Sequence, residues 1–335
     1  MNRAEIITAS QRVVIKVGSG VLTGPQGLHT ARVTELAGQI ARFRASGRKV
    51  LLVSSGAVAS GAAKVSPGFA PSSIPEKQAA AALGQARLMQ VYEEAFEPHG
   101  VKVAQVLLTG ADLHRRQRYL NARHTLSTLL GWGVLPIINE NDTVAVAEIK
   151  LGDNDNLAAT LTNLLGADLL INLTNVEGVL EDDPRTNPEA QCIRLVERVT
   201  PELLRTASSQ PGAVGRGGIA SKVRAAEKAA RCGAATIVAN GTIDGILDLL
   251  AAGHERGTLF LPHADPLTRR KAWIAFDSEP GGELVVDEGA VRPLCEKGKS
   301  LLAAGVRAVR GTFAAGAAVR VLGPVSYTHL RAHET

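Results

Sequence analysis

The chain has 335 residues, 45% of them hydrophobic and 21% charged, which excludes a mostly disordered polypeptide and, at roughly 100–200 residues per domain, suits two domains, or one large and one small. Thirty-seven Lys and Arg against 32 Asp and Glu leave a formal charge of +5, a weak signal for polyanions that suits a small anionic ligand equally well. Aromatic residues are only 3%, fewer than expected of a protein that reads single-stranded RNA by stacking.

Cys192, Cys232 and Cys295 stand far apart, with no zinc-type or disulfide-framework spacing, which fits a reducing cytosol. No apolar run approaches the ~18 residues of a membrane helix. The first, Val13 to Val17, is broken by Lys16 and is too short for a signal peptide.

In chain order, residues 12–17 read as a buried strand ending on Gly18-Ser19-Gly20, and 30–46 as an amphipathic helix. Residues 49–55 form a second buried strand that again closes on Ser-Gly, followed by a long helix over 75–97. Strands at 101–108, 134–138, 168–173 and 235–239 alternate with helices at 112–130, 155–165 and 219–232. Apolar strands alternating with helices predict a three-layer α/β/α fold around an open, mostly parallel sheet, with functional residues at the carboxyl ends of the strands.

The pattern changes near Pro262. WIAF, ELVVD and AVRVLG between Gly-rich turns predict a small β-rich domain over 272–323, joined to a 1–262 domain by a linker at 263–270. Residues 324–335 lack periodicity and look like translated cloning or adapter sequence, so they are expected to be a non-native tail.

Five places could carry chemistry. Lys16 is either a lysine snorkelling from a strand end or a cation at the sheet edge, where Gly18 and Gly20 let a phosphate approach the backbone. Ser54-Ser55-Gly56 is an ordinary helix cap or an anion site built from the same free N–H groups. Between Asn139 and Asn156, nine Asp, Glu or Asn residues fall in eighteen positions. That run is a solvated turn, or a site for an ammonium group, a carboxylate or hydrated Mg²⁺. Thr174-Asn175, at the end of a strand, is a plain loop or an adenine-nucleotide contact. Gly215 to Lys222 opens a helix without the preceding strand of a dinucleotide fingerprint; it is a flexible loop or a polyphosphate cradle. No Ser-His-Asp signature and no His cluster is visible. Two placed lysines, Lys16 and Lys222, with an acidic patch are the parts that phosphoryl transfer needs.

VVIKVGSGVLT (13–23), VSSGAVASG (53–61), PIINENDTVAVAEIKLGDNDNLAA (136–159), LTNVEG (173–178) and GRGGIASK (215–222) resemble the amino acid kinase family over residues 10–323. The IINEND…GDNDNL block resembles its glutamate-phosphorylating branch, and the C-terminal region resembles a PUA domain cut off near Gly323. The resemblance implies ATP-dependent phosphorylation of the γ-carboxylate of L-glutamate, the first step of proline synthesis, with Mg²⁺. It implies that Lys16 and Lys222 neutralise the phosphates and that Asp155 holds both lysines. It implies that Ser55, Asp142 and Asn154 bind glutamate. Lys16, Thr174, Asn175, Arg216, Gly217, Gly218, Ile219, Ala220, Ser221 and Lys222 would then bind ATP. Family members are typically cytoplasmic homo-oligomers, here a dimer or tetramer, inhibited by proline. The family usually has Asp where this chain has Asn175, and a different loop where it has Arg216 to Ser221. The alternatives are a kinase for another acceptor, against which the 136–159 block speaks, and an RNA-binding protein. Six cations balance six carboxylates over 272–323, which argues against RNA.

Overall fold

The structure is a computed structural model that describes residues 2–24, 26–145, 154–183, 186–209, 218–323 and 329–331. Its centre is an eight-stranded sheet. In chain order the strands are β1 (Arg12–Val17), β2 (Lys49–Ser54), β3 (Val103–Leu108), β4 (Leu135–Glu140), β5 (Leu169–Thr174), β6 (Leu195–Val196), β7 (Ala235–Asn240) and β8 (Thr258–Phe260). Their spatial order is β3-β4-β2-β1-β5-β7-β8-β6. Neighbours run parallel except β8, which is antiparallel to β7. β1 lies between β2 and β5, so the chain passes to one side of β1 and later to the other. A crevice opens outside the carboxyl ends at such a switch point.

Strand alternation assigns each β1 residue to a layer. Val13, Ile15 and Val17 enter an apolar cluster under α1 (Arg3–Ala9), α2 (Thr30–Ala45) and α4 (Ile74–Phe96). Val14 enters the opposite cluster, under α5 (Arg116–Gly131), α6 (Asn154–Leu165) and α7 (Ile219–Arg231). Burying each such Val or Ile contributes roughly 1.5–3 kcal/mol. By the same alternation Lys16 faces α6 and α7.

Local signals fix the helix starts. Asn2 with Glu5 and Ser73 with Glu76 form capping boxes at α1 and α4. The short helix α3 (Ala57–Val65) crosses α4 in backbone contact. A Cβ on Gly61 would lie 1.7 Å from the Ala80 carbonyl oxygen, and one on Gly84 would lie 1.8 Å from that of Ala57. Only glycine permits this approach, which pins the start of α3 beside β2.

The expected helix over 112–130 is two, Gly110–His114 and α5, broken at Arg115. WIAF is not a strand. Thr268 caps a helix over Arg269–Ala272 that widens into one i→i+5 turn over Trp273–Asp277, closed by Ser278 N–H on the Trp273 carbonyl at 2.8 Å. Trp273 and Ile274 bury into the α5–α6–α7 cluster, and the Trp273 indole donates to the Leu113 carbonyl at 2.9 Å. A four-residue apolar run carries no period, so tertiary contact decides its form.

Beyond it stands a four-stranded sheet of β9 (Glu283–Val286), β10 (Val306–Arg310), β11 (Arg320–Leu322) and β12 (His329–Arg331), in the order β10-β9-β11-β12. Helix α8 (Glu288–Lys297) and the strand β10 are additions to the pattern read from sequence. Residues 329–331, in the segment set aside as a tail, pair antiparallel with β11; 324–328 and 332–335 lie outside the described residues.

Candidate active site

Lys16 is the penultimate residue of β1, in register with Asn172 on β5. Asp155 sits in the first turn of α6 and Lys222 in the first turn of α7. All three are buried, Asp155 completely. One Asp155 oxygen meets Lys16 Nζ at 2.5 Å and accepts from Asn172 Nδ2 at 2.8 Å. The other meets Lys222 Nζ at 3.1 Å and accepts from Ser221 Oγ at 2.6 Å. Burial by itself pushes the Asp155 carboxyl up. The charges of Lys16 and Lys222 outweigh it and hold the group well below the ordinary carboxylate range. One carboxylate thus clamps two ammonium groups and leaves a net positive charge facing the crevice.

The crevice is a cavity of about 1050 Å³. Lys16, Lys222, Ser55, Asp142 and Asn154 line it, as do Thr174 and Asn175. Asp155 stands behind the wall. At the upper end of the usual range for ligand sites, the volume accommodates a nucleotide and a small acid side by side. The β1 end and the turn after it form the floor. Gly18 N–H donates to the Leu173 carbonyl at 2.9 Å, and a Cβ at Gly18 would come within 3.5 Å of Lys16 Nζ. Asn175 lies over the same turn, its amide 3.1 Å from where a Gly20 Cβ would be.

A second group of side chains forms the opposite wall. Asn154 Nδ2 donates to Ser55 Oγ at 2.8 Å, to Asn139 Oδ1 at 3.1 Å and to the Ser54 carbonyl at 3.2 Å. Asn139 Nδ2 in turn donates to Gln85 Oε1 at 3.0 Å. Ser54 Oγ and the Tyr92 hydroxyl pair at 2.8 Å, and burial drives the Tyr92 pKa upward. This chain of amides and hydroxyls fixes Ser55, just past the end of β2, and Asn154, at the start of α6, against Asn139 at the end of β4.

The structure therefore brings together Lys16, Lys222, Asp155, Ser55, Asp142, Asn154, Thr174 and Asn175. It separates the α7 residues. Ser221 turns to Asp155, whereas Ile219 buries in a third apolar cluster and Ala220 packs against it. Gly218, Ile219 and Ala220 can therefore offer a ligand backbone only. Arg216 and Gly217 lie outside the described residues, as do 146–153 of the acidic run. Sequence reasoning missed Asn172 and Gln85, and placed Asn139 in the acidic run without giving it a role of its own. The signal for Asn172 was a lone amide inside the apolar strand LLINLT; Gln85, inside a long helix, gave none.

Among the described residues, Glu140 and Asp142 are the carboxylates that line the cavity itself. Among the described residues no three His, Cys, Asp or Glu side chains gather to hold a metal. That donor set fits Mg²⁺ held mainly by nucleotide phosphates with one or two carboxylates, the usual mode for this ion.

An amino acid kinase family model matches residues 11–240 and a PUA domain model matches 282–326; the chain belongs to the amino acid kinase family. Solved structures with this fold include a UMP kinase from Bacillus anthracis, at TM-score 0.52 and 17% identity, covering 76% of this chain and 97% of that one. A Giardia lamblia carbamate kinase bound to AMP-PNP aligns at TM-score 0.55 and 18% identity, covering 76% and 100%. Far more similar is the glutamate 5-kinase of Pelobacter propionicus, 52% identical over 96% of this chain and 86% of that protein. The glutamate 5-kinase of Geobacter sulfurreducens is 53% identical over the same shares. No helix among the described residues is long and apolar enough to cross a membrane.

Proposed function

We propose that the chain is an ATP-dependent glutamate 5-kinase, transferring the γ-phosphoryl group of ATP to the γ-carboxylate of L-glutamate to give L-glutamyl 5-phosphate, the first step of proline biosynthesis. The observation that carries this reading is Asp155, behind the cavity wall, clamping Lys16 and Lys222 into a cavity whose other wall is the Asn154–Ser55–Asn139 network. Identity near 50% to glutamate 5-kinases over nearly the whole chain supports the choice of acceptor.

In this reading Lys16 and Lys222 direct their Nζ groups at the β- and γ-phosphates. They stabilise the charge on the transferring group, and Asp155 keeps them in place without touching substrate. The N-terminus of α7, with Gly218 to Lys222 and with Arg216 and Gly217 ahead of it, offers N–H groups to the phosphates. Thr174 and Asn175, at the end of β5, border the nucleotide. Ser55 and Asn154 take the substrate carboxylates and Asp142 its ammonium group. The nucleophile is the substrate's γ-carboxylate, ionised at neutral pH with an ordinary pKa of about 4.3, so no general base is required. Mg²⁺ bound with the nucleotide would supply further neutralisation of phosphate charge, and Glu140 is the cavity carboxylate that would hold it. The same reading includes cytoplasmic location, inhibition by proline and a dimer or tetramer.

The test is an ADP-release assay of the full chain with glutamate, aspartate, acetylglutamate and UMP, with hydroxylamine to trap an acyl phosphate. Glutamate-dependent turnover that yields a hydroxamate is the expected result. Turnover with UMP, or none with glutamate, would overturn the assignment.

A further inference from the structure

A second lysine of α7 makes a second tie to α6. Lys228 Nζ donates to Asn156 Oδ1 at 3.0 Å, to Thr160 Oγ1 at 2.5 Å and to Asp277 Oδ1 at 2.5 Å. An ammonium group has three donors, and all three are used here. Two acceptors belong to α6. The third belongs to the turn that follows Trp273, on the segment leading out to the small sheet. Thr160 Oγ also donates to the same Asp277 oxygen at 2.8 Å, and His114 Nδ1 pairs with the Asp277 carbonyl. Lys228 and Asp277 are both buried. The tie touches the catalytic cluster at both ends: Asn156 follows Asp155, and Lys228 lies six residues, about 9 Å, along α7 from Lys222.

A buried ion pair is a poor device for stability, since an apolar pair of similar volume usually does as well or better. Here Asp277 Oδ2 is buried with no hydrogen-bond partner among the described residues, which makes the pair poorer still. Its geometry accomplishes something an apolar contact does not. Two directed bonds to α6 and one to Asp277, which is itself bonded to Thr160 of α6, fix the rotation and rise of α7 against α6, and so the separation of Lys222 from Asp155.

We propose that Lys228 and Asp277 are positioning residues for phosphoryl transfer: the segment after the large sheet locks α7 to α6 through them and holds Lys222 in reach of the transferring group. This inference rests on the kinase reading above. It makes the chain between the two sheets a working part of the catalytic unit.

The experiment uses the full chain and the double variant Lys228→Met, Asp277→Leu. Either substitution alone leaves an unpaired buried charge and threatens folding, whereas the pair removes both charges at similar volume. The expected result is a melting temperature near the parent's. The kcat should fall about tenfold to a hundredfold, as a small misplacement of a catalytic group does, with the KM for ATP and glutamate within about twofold. Amide hydrogen exchange should quicken in 154–160 and 218–226. A folded double variant with parental kcat would overturn the proposal. If the parent lacks glutamate kinase activity, the functional reading fails by itself. Exchange then decides the tie alone, and unchanged protection of both helix starts would reject it.

Discussion

Among the described residues one charge arrangement recurs beside the large sheet and in the small one, in two surroundings. In the large sheet Asp155 stands between Lys16 and Lys222 at 2.5 and 3.1 Å, with side chains 0%, 6% and 5% exposed. In the small sheet Glu283 stands between Arg320 and Arg310 at 3.2 and 3.5 Å, with side chains 29%, 45% and 66% exposed. Each is one carboxylate with two cations on neighbouring elements. Water screens the second, and side-chain entropy opposes it, so such a pair is worth about 0–1 kcal/mol. The first is excluded from water, where the interaction is several times stronger and breaking it is costly. The difference teaches that the count of ion pairs says little; burial decides which carboxylate organises its surroundings.

The largest expected effect tests where the buried regime ends along the chain. The sequence pattern puts the domain boundary at residue 262, yet Trp273 and Asp277 pack with the large sheet. Truncation after 262 removes a buried tryptophan, a loss of about 3–5 kcal/mol, and strands the Lys228 charge, at a similar cost. That chain should fail to fold cooperatively. Truncation after 280 should keep a cooperative melt and glutamate kinase activity. Circular dichroism and the ADP-release assay on both truncations check this, and a 1–262 chain that melts cooperatively and turns over would place the boundary where the sequence pattern puts it.

Next come the members of the buried cluster. Lys222→Ala should lower kcat by about 10²–10³-fold, as removal of one preorganised charge-stabilising group does, with a smaller change in the glutamate KM. Asp155→Asn should also lower kcat with modest KM changes, because an amide lacks the charge that offsets the repulsion of two lysines. A variant that melts early but turns over normally would make Asp155 a structural residue only. On the opposite wall, Asn154→Ala and Asp142→Ala should weaken glutamate binding by about 1.5–3 kcal/mol, read by titration calorimetry, because each removes a hydrogen-bond partner of a charged group.

The same cluster sets a pH signature. The Asp155 pKa in the folded chain lies below its unfolded value. Its stabilising contribution is therefore complete above the unfolded carboxylate value and is lost as pH falls through the folded one. The melting-temperature gap between parent and Asp155→Asn should stay constant from pH 8 to about 5 and narrow only in stronger acid. A gap that closes near neutral pH would mean that Asp155 is not held ionised by the lysines.

Much of this was legible before any coordinates. The strand–helix alternation located β1 to β5, and Lys16 was visible as a cation breaking an apolar strand. What stayed hidden depends on distant partners. Asn172 reads as a lone amide inside an apolar strand until the sheet order brings β5 beside β1, and Asn139, visible in the acidic run, gains its partners only when β4 lies beside β2. Gln85 acquires meaning only when α4 crosses the sheet end. WIAF is too short to carry a period, and its helical form comes from Trp273 filling a hole between helices. By sequence position Asp277 is one of six carboxylates of the small domain, whereas its partner is on α7.

The smallest expected effect completes the comparison. Glu283→Gln should change the melting temperature by no more than about a degree, since exposed pairs contribute about 0–1 kcal/mol and the arginines remain solvated. It also tests the small sheet as a nucleic-acid surface. Arg310 and Arg320 face Glu283, Arg307 faces Asp287 and Arg292 faces Glu296. Each of these four arginines thus has a carboxylate in its path to a phosphate, which leaves the exposed Lys297 and Lys299. Binding driven by counterion release needs several unopposed cations on one face. Neither the parent nor Glu283→Gln should therefore shift RNA in a gel at physiological salt, because removing one carboxylate frees only two arginines. A salt-sensitive shift by the parent would show that burial is the wrong criterion for this half of the molecule. A shift gained only by Glu283→Gln would show that Glu283 holds back a surface otherwise ready for polyanions.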